Sequence, residues 1–234
     1  MKIVKDKQLL EHYIKKYDIM NLFTDESIKE HMELRKYNKR EYIVSPEGIL
    51  DEFLIMVEGR AKVYSHSSNG KVILISFYKP FGVLGDVEYA LGKETDYIVE
   101  ALTDATYIAI DRDVLIKKTE TDIKFKNYIM YSLAKKLNQS AGKNMFNLLY
   151  PLENRIASYI LSICKKEADG TPEDEVEIYN LKDAAQFLGS SYRHLIRTLN
   201  SLEENGSIDR NRNTIKIKDR KSLELLAEEL YEWG

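Results

Sequence analysis

One segment of the sequence, between Leu181 and Ile217, constrains the fold more than any other part of the chain. Its apolar spacing predicts two short helices joined by a tight turn, followed by two strands. Gly189 stands where the chain leaves the first helix, at a position that favours a left-handed backbone. The inward-facing residues of the two helices are Ala184, Ala185, Leu188, Leu195, Leu199 and Leu202. The segment therefore has the pattern of a helix-turn-helix with a hairpin wing.

The second predicted helix has a polar face opposite its apolar stripe. We expect Asp183 to cap the first helix and either Ser190 or Ser191 to cap the second. A helix that packs on one side and carries arginines near its N-terminus has the layout of a major-groove reader. Two helices joined at a Gly-Ser turn also occur in domains that do not bind DNA, so the motif alone leaves that alternative open. The side chains on the polar face are Tyr192, Arg193 and Arg197.

The residues that follow predict the wing and give the segment a local positive charge. A polar turn from Arg210 to Asn213 precedes a strand in which Ile215 and Ile217 alternate with lysines. From Lys182 to Lys221 there are nine Lys and Arg against five Asp and Glu, a net charge of +4, whereas the whole chain carries −3. A solvated basic face would show the same excess. Its concentration on one motif favours a surface that binds phosphates.

The composition excludes several classes of protein. A chain of 234 residues suits two modest domains. Its single cysteine, Cys164, excludes an internal disulfide framework and an iron–sulfur cluster held by several thiolates, and it fits a reducing compartment. The N-terminus lacks the apolar core of a signal peptide. The longest apolar stretch, Val72 to Tyr78, is too short to span a bilayer. We therefore expect a cytoplasmic protein with no place in the membrane.

The periodicity before the helix-turn-helix predicts three further regions. Residues 1 to about 36 are predicted to be helical, with a second short helix that includes Ile28, Met32 and Leu34. Between residues 40 and 112, short strands separated by Gly, Pro and Asn turns, including a hairpin turn at Gly70, predict a sandwich or small barrel. After Asp113 the spacing is helical, with a break at Pro151. The predicted strands are Glu41–Val44, Phe53–Val57, Ala61–Ser65, Val72–Tyr78, Ile98–Leu102 and Thr106–Ile110.

An apolar seam runs along one long predicted helix of roughly 30 residues, which would be about 45 Å long. A small domain offers little internal surface for a helix of that length, so the seam favours self-association. The alternative is that the seam packs against the protein's own barrel, and both arrangements could occur on different faces of the helix. The seam consists of Met130, Ala134, Leu137, Ala141, Met145 and Leu148.

The order helix, β-roll, long helix and winged helix resembles the Crp/Fnr family of bacterial transcription regulators over about residues 30 to 226. The roll-like segment Phe53 to Gly85 shares the family's glycine positions, and the winged segment shares its spacing. The resemblance implies an α+β fold with an N-terminal double-stranded β-helix, or jelly roll, as a cyclic-nucleotide-binding-like sensor domain in residues 1–120. It also implies a dimerisation helix in residues 121–150 and a winged helix-turn-helix in residues 151–234.

By this resemblance the protein is a homodimer joined through the helix from about Ile123 to Leu149, and it reads a palindromic operator with the helix Ser191–Leu202. Double-stranded DNA and RNA polymerase are the expected partners. Tyr192, Arg193 and Arg197 match base-reading positions, whereas the family often has an Arg-Glu pair in place of Tyr192-Arg193, so its usual half-site is not assumed. The expected phosphate contacts are Lys182, Ser190, Ser191, Arg210 and Arg212.

The corresponding sensor site lacks a residue that cyclic nucleotides require. Relatives that bind them have an arginine–serine pair for the phosphate, yet no arginine occurs between Arg60 and Arg112 here. The many carboxylates in this window would repel a phosphate unless Lys93 compensated. We therefore expect no binding of cyclic AMP or cyclic GMP and no cofactor, leaving an unidentified small-molecule effector, or none. The candidate effector pocket is Gly85, Asp86, Glu88, Lys93, Thr95 and Asp96.

The alternatives are a ligand-binding β-barrel protein without DNA function and a cupin-like enzyme. Cupin chemistry needs clustered His and Glu ligands, but the four histidines are scattered, and the only one in the roll, His66, is interpreted as a solvated turn residue rather than a haem ligand. No nucleophile-elbow, P-loop or dinucleotide motif occurs. The sequence therefore predicts a protein that is not an enzyme.

Overall fold

The computed structural model describes residues 1–46, 49–66, 72–94, 96–164, 174–178, 180–212 and 214–227. The chain forms two compact units, Met1–Lys136 and Leu137–Gly234. The division between the two units falls inside a long helix. The predicted domain boundaries, at residues 120 and 150, instead make that helix a separate region. Gly70, Thr95 and Asn213 lie outside the described residues.

The first unit contains two antiparallel sheets. In the five-stranded sheet the order is β1-β2-β9-β4-β7, and in the four-stranded sheet it is β3-β8-β5-β6. Three α-helices accompany them: α1 (Lys7–Lys16), α2 (Asp86–Leu91) and α3 (Arg112–Thr119). Two short 3-10 helices, Ile19–Leu22 and Glu26–His31, follow α1. The strands are β1 (Lys2–Val4), β2 (Met32–Tyr37), β3 (Tyr42–Val44), β4 (Glu52–Glu58), β5 (Ala61–His66), β6 (Val72–Tyr78), β7 (Val83–Leu84), β8 (Ile98–Ala101) and β9 (Ala105–Asp111).

Strand β4 shows why these residues form a layered roll. Successive side chains of a strand point to opposite faces of its sheet. Phe53 and Ile55 accordingly join an apolar cluster with the N-terminal helices, whereas Leu54 and Met56 join a second cluster with residues of the four-stranded sheet. At β4 the five-stranded sheet is therefore buried on both faces. The six strands predicted between residues 40 and 112 are all present, and no end differs from its prediction by more than one residue.

The prediction that residues 1 to 36 are entirely helical is wrong in part. Helix α1 is present, and so is a short 3-10 helix at Glu26–His31 that contains Ile28. However, Lys2–Val4 and Met32–Tyr37 are strands that pair with each other. Met32 and Leu34 are buried two residues apart in β2, which also pairs with β9. Their spacing is the period of a strand, and the sheet pairing outweighs the local helical preference.

Helix α4 (Ile123–Leu149) spans the residues implied for the dimerisation helix. Asp122 accepts hydrogen bonds from the backbone N–H groups of Lys124 and Phe125, and this fixes the start of the helix. Phe125 and Ile129 are buried in the core of the first unit. All six residues of the seam from Met130 to Leu148 are exposed instead. Within the first unit, the face of α4 that carries Phe125 and Ile129 contacts the roll, and self-association through the seam stays a prediction.

The second unit is a small α+β arrangement that contains the predicted helix-turn-helix and wing. Its three-stranded antiparallel sheet has the order β10-β12-β11. Strand β10 begins at Glu175. The elements that follow α4 are α5 (Leu152–Ile163), β10 (Glu175–Glu177), α6 (Leu181–Phe187), α7 (Tyr192–Glu204), β11 (Ile208–Asn211), β12 (Thr214–Ile217) and α8 (Arg220–Ala227).

Candidate nucleic-acid interface and effector pocket

The turn between α6 and α7 is built from backbone hydrogen bonds around Gly189. The glycine has φ +61°, as its place after a helix predicts. Its N–H donates to Gln186 O at 3.0 Å, and the Ser190 N–H donates to Ala185 O at 2.8 Å. This pair of bonds is the Schellman motif, which ends a helix sharply. The chain is thereby redirected into α7 within four residues.

The predicted N-cap is confirmed for α7 but not for α6. Ser191 caps α7, since its side chain accepts a hydrogen bond from His194 N at 3.2 Å. Helix α6 is capped by Asn180, which accepts from Lys182 N at 2.9 Å, so the prediction of Asp183 is wrong. Asp183 lies in the first turn of α6, where a carboxylate favours the helix dipole without being the cap.

Helix α7 separates its apolar and polar residues as a groove-reading helix must. Leu195, Leu199 and Leu202 are buried, so one side of the helix is fixed to its own unit. The side chains predicted to read bases lie on its outer surface, and all three of them are exposed: Tyr192, Arg193 and Arg197. The helix can therefore present two guanidinium groups and a phenol to a partner without any loss of core packing.

The residues predicted to contact phosphates differ in their exposure and in whether another side chain already pairs with them. Lys182 is exposed on α6, and Arg212 is exposed at the tip of the hairpin with φ +54°. Ser190 is half-buried in the turn. Arg210 forms an ion pair with Glu203 at 3.3 Å and also donates to the side chain of Asn200. Its charge is thus partly neutralised by α7, which the sequence pattern did not reveal.

Two residues that the sequence reasoning missed contact the same turn. Asn147, near the end of α4, donates through Nδ2 to Phe187 O at 3.2 Å. Arg155 of α5 donates through Nη1 to Leu188 O. Arg155 is buried, and burial lowers its pKa from the usual value. A methyl group placed on Gly189 would lie 3.4 Å from both donor nitrogens, so the turn passes close to each of them.

In the candidate effector pocket, Asp86 is buried and already bonded. Its Oδ1 lies 2.6 Å from Lys136 Nζ, and its Oδ2 accepts from Ser132 Oγ at 2.7 Å. Both partners come from α4, four residues apart on the side that faces the roll. Lys136 also donates to Val83 O at 3.0 Å. Burial opposes the charge of Lys136, but Tyr78 and Asp86 outweigh it and raise the pKa above its usual value.

The remaining pocket candidates do not share this environment. Gly85 has φ +92° and precedes α2, and Glu88 is buried within that helix. Lys93 and Asp96 are exposed, and Thr95 lies outside the described residues. The cation beside Asp86 is therefore Lys136, fifty residues further along the chain, and not Lys93.

Metal sites and membrane-spanning helices would indicate other classes of protein. Across the described residues, no cluster of three or more His, Cys, Asp or Glu side chains is arranged to hold a metal ion. None of the helices in the part of the chain that the structure describes is long and apolar enough to cross a membrane. His66, at the end of β5, is exposed.

Two family models match separate parts of the chain. The cyclic nucleotide-binding domain matches residues 34–122, and the Crp-like helix-turn-helix domain matches residues 154–226. Together these matches cover the roll and the winged unit described above.

Known proteins similar to the chain are regulators. The regulatory protein YeiL of Escherichia coli O157:H7 is 29% identical over 194 residues, which are 82% of this chain and 84% of that protein. The nitrogen fixation regulation protein FixK of Azorhizobium caulinodans is 21% identical over 189 residues, 79% of this chain and 75% of that protein. The crystal structure of a CRP family transcriptional regulator from Thermus thermophilus superposes with a TM-score of 0.69 at 19% identity, covering 86% of this chain and 100% of that one.

Proposed function

Because the chain belongs to the Crp/Fnr family of DNA-binding transcription regulators, we propose that it acts in the cytoplasm as a homodimer and catalyses no reaction. In this proposal it reads a palindromic operator through α7 and regulates transcription together with RNA polymerase. The observation that carries the proposal is the division of α7 into a buried leucine stripe and an exposed face with two arginines.

The exposed seam on α4 supports the homodimer. Leu137 and Leu148 are 72% and 84% exposed, so a row of apolar side chains faces solvent in the single chain. The seam from Met130 to Leu148 covers about 27 Å of helix at 1.5 Å per residue. Packing it against a second copy would bury these side chains by knobs-into-holes contacts. Two copies of α7 would then meet half-sites about 34–36 Å apart.

Arg197 is the residue that we propose as the main base reader. An arginine that donates two hydrogen bonds to a guanine contributes about 1–3 kcal/mol of discrimination. Tyr192 and Arg193 are proposed to read neighbouring positions. Lys182, Ser190, Ser191 and Arg212 are proposed to contact phosphates, where they add affinity without sequence preference. Arg210 is a weaker phosphate candidate because Glu203 already holds its guanidinium.

The experiment begins with selection of duplexes that the protein enriches from a random-sequence library, followed by gel-shift titration at several salt concentrations. Arg197→Ala should weaken binding to the enriched duplex about 5- to 150-fold while affecting unrelated DNA much less. Arg212→Gln should weaken binding to both and reduce the salt slope by about one. Arg210→Gln is the matched comparison and should change the slope less. Failure to enrich any sequence would overturn the proposed function.

We further propose that the roll binds neither cyclic AMP nor cyclic GMP. The oxygens of Asp86 that could accept ribose hydroxyls are bonded to Lys136 and Ser132, and the sequence offers no arginine near them for the phosphate. Isothermal titration calorimetry of the full chain with each nucleotide tests this. No heat of binding is expected at micromolar concentrations, whereas a micromolar dissociation constant would overturn the proposal.

A further inference from the structure

The C-terminus of α6 leaves two carbonyl groups that its own backbone does not satisfy. The last carbonyls of a helix have no partner within it. The Schellman bonds of Gly189 and Ser190 satisfy Gln186 O and Ala185 O. Phe187 O and Leu188 O follow directly, and these are the carbonyls that accept from Asn147 and Arg155. Two side chains from outside the motif thus complete the hydrogen bonding of the turn.

Both donor side chains bury a polar atom that has no hydrogen-bond partner among the described residues, so stability alone does not explain them. Arg155 is 9% exposed, and its Nε has no hydrogen-bond partner among the described residues. Burying a guanidinium for one carbonyl contact costs desolvation energy that a neutral residue would avoid. The side-chain oxygen of Asn147 is likewise buried and unpartnered in the described chain. The polar groups therefore add little net stability, and what they do provide is a fixed position for the turn.

We propose that Asn147 and Arg155 are positioning residues for DNA reading, which set the direction in which α7 leaves the turn. The inference rests on the proposed function. Only Gly189, Ser190 and Ser191 separate the carbonyl of Leu188 from the first residue of α7. A small rotation of the turn would displace Arg197, about one and a half helical turns into α7, relative to a base edge. Sequence discrimination depends on the bidentate geometry of base contacts, whereas phosphate contacts carry no sequence information.

The test compares specific with non-specific DNA affinity in variants of the full chain. Arg155→Met keeps an unbranched apolar stem but removes the guanidinium donor. Asn147→Ala removes the other donor, and Asn144→Ala is its matched control, an exposed asparagine on the same helix. Arg155→Lys restores a cationic donor. The probes are the duplex enriched by the native protein and a scrambled duplex of equal length and composition.

We expect Arg155→Met and Asn147→Ala each to lose about tenfold in affinity for the enriched duplex, as the loss of a single hydrogen bond to a charged or buried group implies. Affinity for the scrambled duplex, its salt slope and the oligomeric state should match the native protein. Asn144→Ala should behave as native, and Arg155→Lys should recover part of the loss. A purely structural role predicts equal losses on both duplexes, tracking thermal stability, and that result would overturn the inference.

The two proposals fail in distinguishable ways. If the native protein enriches no duplex, the proposed function fails and the positioning role falls with it. If the native protein binds its duplex and both variants bind it equally well, only the positioning role is wrong. Should Arg155→Met fail to fold, Asn147→Ala and its control decide the question.

Discussion

Helix α4 contributes to a polar cluster in each unit, and the two clusters differ in the group that accepts a hydrogen bond from the buried cation. In the roll, Lys136 meets the buried carboxylate of Asp86, and Ser132 completes the coordination. In the winged unit, Arg155 meets the carbonyl of Leu188, beside the bond from Asn147 to Phe187 O. One cluster is an ion pair, whereas in the other a cation donates to a single backbone carbonyl.

The pKa values of the two cations shift in opposite directions, lower for Arg155 and higher for Lys136. Burial alone lowers the pKa of Arg155. Burial also opposes the charge of Lys136, yet Tyr78 and Asp86 reverse the result and raise its pKa. At the turn, a buried cation is thus held by a backbone carbonyl and not by a carboxylate. A buried carboxylate in the roll has its compensating charge supplied from α4.

The largest effect that would sharpen this comparison is expected from Lys136→Met. The change leaves Asp86 buried without the cation that now pairs with it. We expect a loss of about 2–3 kcal/mol in the free energy of unfolding, less than the ~3–5 kcal/mol of a fully buried pair, because Lys136 keeps partial solvent contact. Urea denaturation measures it, with Lys135→Met, an exposed neighbour, as the control. Equal stability of the two variants would show that the ion pair does not matter for folding.

The second effect is expected at the turn glycine. Gly189→Ala should cost about 1–2 kcal/mol because its backbone is left-handed. Gly206 has φ +80° and no atoms within 4 Å of an added methyl group, so Gly206→Ala isolates the backbone cost in the same unit. The methyl group on Gly189 would meet Asn147 and Arg155 at ordinary contact distance, so thermal denaturation should give similar losses. A much larger loss for Gly189→Ala would mean that the methyl group displaces the donors.

A smaller effect is expected for Arg155→Met. Removal of the guanidinium loses one hydrogen bond but also relieves the cost of burying a charge that is held by a carbonyl alone. The net loss in the free energy of unfolding should be about 1 kcal/mol, clearly below that of Lys136→Met. Urea denaturation of both variants under one set of conditions checks the order. A loss for Arg155→Met that equals or exceeds that for Lys136→Met would break the distinction between the two clusters.

The sequence predicts the winged unit well because its signals are local. Gly189 and Ser191 fulfil the roles that their spacing indicates, and α7 follows directly. The strand Met32–Tyr37 also has a local signal, because its buried residues Met32 and Leu34 lie two apart. The helical spacing of the preceding residues obscures that signal.

The polar clusters could not be predicted because their partners are distant in sequence. Fifty residues separate Asp86 from Lys136, and 33 separate Arg155 from Leu188. No period or motif connects residues across such distances. The same limit explains Arg210 and Arg212, which look alike in the hairpin sequence. Only the packing of β11 against α7 brings Glu203 to Arg210 and leaves Arg212 exposed.

The smallest expected effect is a difference in pH dependence between the clusters. The folded pKa of Lys136 lies above its unfolded value of about 10.4. Its contribution to stability is therefore complete below that unfolded value and is lost as pH rises through the folded pKa. Arg155 keeps its proton throughout, and a backbone carbonyl does not titrate.

The measurement is the free energy of unfolding of the native protein minus that of each variant, from about pH 7 to about pH 11. For Lys136→Met this difference should stay constant to about pH 10 and then shrink. For Arg155→Met it should stay constant over the whole range. Tyr37, whose burial raises its pKa to about 12, titrates in all three proteins, so its contribution cancels in the subtraction. A flat difference for Lys136→Met would show that the side chain stabilises the roll by packing and not by charge, and the two clusters would then be alike.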